Sequence, residues 1–242
     1  EISACLVGSE MCIRDSTHTA ADIQALIDTY DISITPRDYQ IAAFKFALEY
    51  DRGMILSPTA SGKSLIIYML CRHYMNMIDN NILIIVPTTS LVEQLYKDFK
   101  DYGFDVENNN SRKYHGYDID LDKRITISTW QSLYKMPKKF FEDYGAVIGD
   151  EAHLFKAVSL TKIMTKLTDC KYRIGLTGTL DDSKTHKLVL QGLFGMVNKV
   201  VSTTELIERK QLANLKIKCL NLKYPETEAK KVYGVKYFEE LE

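Results

Sequence analysis

Several features are scarce in this sequence, and each scarcity narrows its class. The five cysteines (Cys5, Cys12, Cys71, Cys170 and Cys219) are scattered and form no CxxC pair. That argues against a disulfide framework or a zinc site and fits a reducing, cytoplasmic setting. No histidine among His18, His73, His115 and His186 has metal-ligand spacing to a partner. A net charge of -1 supplies no electrostatic case for nucleic acid, so any such claim must rest on local features. No apolar run approaches the roughly 20 residues that cross a bilayer. The longest, such as Ile82-Leu83-Ile84-Ile85-Val86, have the length of buried strands, and no membrane partner is expected. What remains is ordinary: 242 residues, 45% hydrophobic and 26% charged, enough to bury a core without staples.

Along the chain, Glu1–Ser16 does not read as a signal peptide, because acids flank its apolar stretch and no Lys or Arg opens it, and the string itself resembles a translated adapter tail. Residues 17–34 read as a helical preface, with Ala21, Ile23, Leu26 and Ile27 on one side of a helix over Thr19–Tyr30. Arg37–Tyr50 is helical again. A repeated unit of apolar run, turn and helix then begins. Runs at Met54–Leu56, Asn81–Val86, Arg124–Ser128, Ala146–Ile148, Tyr172–Leu176, Val197–Val201 and Leu215–Leu222 read as strands, with helices from Lys63 and over Ser90–Tyr102. Continuous apolar strands alternating with helices predict an α/β fold, a mostly parallel central sheet covered on both faces. Asn108–Asp122 reads as a polar loop, and 223–242 as the start of a linker.

The strongest local signal is Ser57-Pro58-Thr59-Ala60-Ser61-Gly62-Lys63-Ser64, placed after an apolar run and opening a helix. That is the context of a phosphate-binding loop. Backbone N–H groups at a helix N-terminus face the phosphates, Lys63 reaches the terminal ones, and the Ser64 hydroxyl ligates magnesium. Ser57 departs from the pattern, which usually has glycine there. Asp150-Glu151-Ala152-His153 follows the run Ala146–Gly149, so two acids lie at the carboxyl end of a strand, where ligands of open α/β sheets sit. Asp150 suits a magnesium ligand and Glu151 a base for the attacking water. Each signal alone has a bland reading, a strand-turn-helix junction or a solvated turn; in this order together they point to ATP hydrolysis.

Asp150-Glu151-Ala152-His153 resembles the acidic motif of DEAH-box-type superfamily 2 DNA helicases, and further phrases resemble that family in order. The resemblance implies a RecA-like phosphate-loop domain over 35–222, cofactors ATP and magnesium, and a second RecA-like domain that brings arginine fingers. Arg37-Asp38-Tyr39-Gln40 is similar to the motif whose glutamine reads adenine, which adds Arg37 and Gln40 to Pro58, Thr59, Ala60, Ser61, Gly62, Lys63 and Ser64 as nucleotide contacts. Pro87-Thr88-Thr89 and Thr129-Trp130 resemble the segments that contact a nucleic-acid backbone, so sequence-independent DNA binding is expected. Thr177-Gly178-Thr179 resembles the motif linking hydrolysis to strand movement, and His153 takes a coupling and catalytic role by analogy. Ile84–Thr89 and Thr129–Gln131 narrow the resemblance to a phage branch that remodels branched DNA and R-loops. The isolated chain is expected to hydrolyse ATP slowly.

Other readings stay open at this point. Gln40 sits on an amphipathic helix where glutamines are commonly solvated, and Thr88 and Thr129 suit helix caps as well as phosphate contacts. Trp130 suits packing better than base stacking. Lys135, Lys138 and Lys139 form either a solvated face or a supplementary phosphate contact. Rival functions are a duplex translocase subunit of a restriction or remodelling enzyme, an inactive nucleotide-binding module, and an RNA helicase.

Overall fold

The computed structural model describes residues 19–113, 120, 122–154, 157–180 and 184–213. The tail at Glu1–Ser16, the strand expected at Leu215–Leu222 and the linker at 223–242 lie outside them. The elements run α1 (Ala20–Asp28), α2 (Asp38–Glu49), β1 (Arg52–Leu56), α3 (Lys63–Met77), β2 (Asn81–Val86), α4 (Thr89–Asp101), α5 (Val106–Asn109) and β3 (Asn110–Lys113). They continue with β4 (Ile125–Thr129), α6 (Trp130–Leu133), β5 (Tyr144–Gly149), α7 (Ala157–Lys166), β6 (Tyr172–Thr177), α8 (Lys184–Phe194), β7 (Met196–Lys199) and α9 (Thr203–Glu208).

The strands form one sheet in the order β3-β4-β2-β5-β6-β1-β7. Every neighbouring pair is parallel, which the alternation of strands and helices predicts. Side chains alternate between two cores. Ile82, Ile84 and Val86 of β2 join Ile55, Ile127, Ile148 and Leu176 against α1 to α4. Leu83 and Ile85 turn the other way, joining Met54 and Val147 against α7 and α8. Each such side chain is removed from water and contributes about 1.5–3 kcal/mol. The preface helix α1 is part of the first core: Ile23, Ile27 and Tyr30 are buried in it.

One expectation is corrected. The polar stretch expected to be loop contains β3, an edge strand paired in parallel to β4 from Asn110↔Ile125 to Lys113↔Ser128. Its polar composition hid it, because an edge strand needs no apolar outer face and charged residues there discourage aggregation. Arg112 is anchored across α4, ion-paired to Glu93 at 2.9 Å and lying 4.0 Å over the Tyr96 ring.

Candidate functional site

Because the sheet is parallel, the carboxyl ends of β1, β2, β5 and β6 share one edge, and the turns leaving them build the site. Residues 57–62 leave β1 and enter α3 through Gly62, which has φ 76°. The left-handed backbone favours glycine here, and a Cβ at Gly62 would lie 2.5 Å from Gln40 Nε2 and displace that side chain. Ser57 needs no such freedom. It is fully buried, its N–H donates to the Thr177 carbonyl at 2.9 Å, and its hydroxyl bonds that of Ser61 at 2.7 Å. Serine at the usual glycine position therefore closes the base of the loop instead of opening it. Ser61 also donates to the Pro58 carbonyl at 2.6 Å.

The motif at the start of α2 is wired to this loop. Gln40 is buried; its Nε2 donates to the Ser61 and Gly62 carbonyls, each at 3.1 Å, and its Oε1 accepts from the Arg37 N–H at 2.8 Å. Tyr39 donates its hydroxyl to the Ser61 carbonyl at 2.8 Å and accepts from Arg37 at 2.9 Å. Both amide hydrogens of Gln40 are thus committed to loop carbonyls. Tyr39 is a loop-holding residue that pattern reading missed; its neighbour Gln40 was the only signal.

Lys63 opens α3 and reaches across to the turn after β5, where its Nζ lies 2.8 Å from Glu151 Oε1. Glu151 has φ 48°, a left-handed conformation that costs a non-glycine residue roughly 1–2 kcal/mol and is found mainly at functional sites. Asp150, just before it, is buried and accepts from the Glu151 N–H at 2.9 Å. Burial first, and the neighbouring Glu151 charge second, push the Asp150 carboxyl up to about 6, with Lys63 opposing them. His153 Nδ1 lies 2.6 Å from the Thr177 hydroxyl and 3.4 Å from Glu151 Oε2. Thr177 in turn donates to the Thr179 carbonyl at 2.7 Å. A Cβ at Gly178 would lie 3.3 Å from Thr59 Oγ1 and 3.7 Å from Lys63 Nζ, so this segment lies directly against the loop.

A cavity of about 220 Å³ opens between these groups, lined by Thr59, Lys63, Ser64, Gln94, Asp150 and Glu151 among others. The donor set suits magnesium and a phosphate chain: a hydroxyl and a buried carboxylate for a hard cation, and an ammonium at a helix N-terminus for anions. Gln94 and its neighbours Leu91 and Leu95 reach the cavity from α4, which pattern reading did not foresee.

The expected nucleic-acid contacts lie at two adjacent strand ends, since Val86 pairs with Thr129. Gln131 Nε2 ties the two turns together by donating to the Pro87 carbonyl at 3.1 Å. Thr88 and Thr89 are exposed, and Thr88 caps α4 by accepting from the Leu91 N–H at 3.4 Å. Pro87 and Thr129 are buried, and Trp130 is half-buried against the second core, as a packing residue would be. The exposed groups here are therefore Thr88, Thr89 and their neighbours. Lys135, Lys138 and Lys139 are exposed as well.

The model of the type III restriction enzyme res subunit family matches residues 33–182. The ATP-dependent DNA helicase UvsW of Enterobacteria phage T4 is 36% identical over 213 residues, covering 86% of this chain and 42% of that protein. The DNA 3'-5' translocase XPB2 of Sulfurisphaera tokodaii is 32% identical over 203 residues, 83% of this chain and 43% of that protein. This chain therefore spans less than half the length of those relatives. The crystal structure of the UvsW helicase from bacteriophage T4 superposes with a TM-score of 0.70 at 31% identity, covering 76% of this chain and 68% of that one. A RecA-like parallel sheet, a phosphate-type loop facing paired acids, and a family match across both place the chain in the type III restriction enzyme res subunit family, with UvsW of phage T4 among its relatives.

Proposed function

We propose that this chain is the ATP-binding motor half of a cytoplasmic DNA helicase that remodels branched DNA and R-loops, with 35–222 as its first RecA-like domain. The observation that carries this reading is the meeting of Lys63, Ser64, Asp150 and Glu151 on one cavity. In this reading the backbone of Pro58–Gly62 and the Lys63 ammonium bind the phosphates, and Arg37 and Gln40 face the adenine. Gln40 exchanges its bonds to Ser61 and Gly62 for the base edge. Ser64 and Asp150 would hold magnesium, which when bound would offset negative charge on the phosphate oxygens. Glu151 accepts a proton as water attacks the γ-phosphate and the bridging oxygen leaves.

His153, through Thr177, Gly178 and Thr179, passes the state of Glu151 toward the second RecA-like domain. That domain contributes arginine fingers, worth about 10³–10⁵ in rate in related systems. The exposed Thr88 and Thr89 carry the DNA backbone, on turns that Pro87, Thr129 and Trp130 hold in place, which gives binding without sequence preference. Convergence of the acids on Lys63 disfavours an inactive binding module. The name of the matching family keeps duplex translocation in a restriction enzyme as the second reading.

The test is equilibrium binding of a fluorescent ATP analogue with magnesium, comparing the parent chain with Lys63→Ala and Gln40→Ala. Removing the ammonium deletes a charge-assisted contact of about 1.5–3 kcal/mol and leaves Glu151 uncompensated. A loss of roughly tenfold or more is expected, since tenfold is about 1.4 kcal/mol. Gln40→Ala is expected to lose preference for adenine over guanine nucleotides. Equal binding by all three proteins sinks the motor reading.

A further inference from the structure

Ser64 stands beside Lys63 in the first turn of α3, and its hydroxyl is bonded to another helix: Ser64 Oγ and the Tyr102 hydroxyl lie 2.8 Å apart. Tyr102 ends α4 and is only 9% exposed. Its ring is held independently of that bond, packed on Tyr68 with centroids 5.3 Å apart. Tyr68 lies one turn along α3 from Ser64.

A serine hydroxyl has one hydrogen, two lone pairs and three staggered rotamers. The phenol O–H of Tyr102 can donate to Ser64 Oγ and so fill one of its lone pairs. The second lone pair is left for a cation, and the rotamer is pinned by the tyrosine. We infer that Tyr102 is a positioning residue for the metal: its hydroxyl fixes Ser64 so that the remaining lone pair is presented to the cavity. This rests on the reading of Ser64 as a magnesium ligand. Partners behind a ligand commonly matter about 10–100-fold in metal affinity.

Tyr102→Phe removes the hydroxyl and keeps the packed ring. The measurement is a magnesium titration of fluorescent ATP-analogue binding to the 242-residue chain, with binding in chelator as the magnesium-free reference. Half-saturating magnesium is expected to rise roughly tenfold in Tyr102→Phe, while magnesium-free binding and the thermal midpoint stay close to the parent. Added to Ser64→Ala, the same change is expected to do nothing further, because the two act through one oxygen. An unchanged or lowered magnesium requirement in Tyr102→Phe overturns the inference. So does an equal effect in the Ser64→Ala background, which would mark a merely structural hydroxyl. A parent that binds the analogue without regard to magnesium removes the metal reading itself, and this inference with it. A parent that binds with magnesium and a Tyr102→Phe that titrates identically leaves the motor reading standing and sinks only the role of Tyr102.

Discussion

Phe194→Ala is expected to lower the unfolding free energy by about 3–5 kcal/mol, the usual range for deleting a buried aromatic ring. Phe194 closes α8 and is fully buried in the core beneath the sheet. The ring sits where β6 has no side chain: a Cβ at Gly175 would lie 3.1 Å from Phe194 Cγ and 3.3 Å from the Met54 methyl. The absent side chain and the large one are complementary, so truncating Phe194 opens space that nothing beside it fills. Nor can the sheet collapse inward, because β6 is hydrogen-bonded to β5 on one side and β1 on the other. Against a typical total of 5–15 kcal/mol, the loss is a large fraction of the stability. Urea unfolding reads it directly, as a lower midpoint at unchanged slope. A shift under about 1 kcal/mol means that the ring is not packed on Gly175 in solution.

Gly175 and Phe194 also show what a sequence conceals. The strands were legible because runs such as Ile82–Val86 are buried on both faces, and only a sheet sandwiched by helices makes such runs. That the sheet is parallel followed from alternation with helices, whereas the order of its strands did not. β3 was not legible, since Asn110, Ser111, Arg112 and Lys113 give no apolar signal, and their pairing to β4 is a tertiary fact. In the site, Lys63, Ser64, Asp150 and Glu151 were legible by residue type and flanking strands. What their spacing could not convey is their state. Glu151 is held in a left-handed turn against Lys63, and Gln40 is saturated by loop carbonyls. Tyr102 had no local signal, because its contact with Ser64 depends on how α3 and α4 cross.

Glu151→Gln is expected to act in opposite directions on binding and on chemistry. With side-chain exposures of only 9% and 18%, the Lys63–Glu151 pair at 2.8 Å is screened less than a surface bridge. Phosphates must displace that carboxylate to take the ammonium. Glutamine keeps the shape and a carbonyl acceptor but removes the charge, so Lys63 is released more easily and nucleotide affinity rises. The same change removes the carboxylate assigned to take a proton from water, and loss of a general base costs about 10²–10⁴ in rate. The variant should therefore bind the ATP analogue at least as tightly as the parent, while single-turnover ATP hydrolysis, followed over hours with DNA present, falls by about 10²–10⁴. Hydrolysis within about threefold of the parent rules Glu151 out as the base. Weaker binding instead means that the ion pair organises the loop, so that its charge supports the phosphate site rather than competing with the ligand.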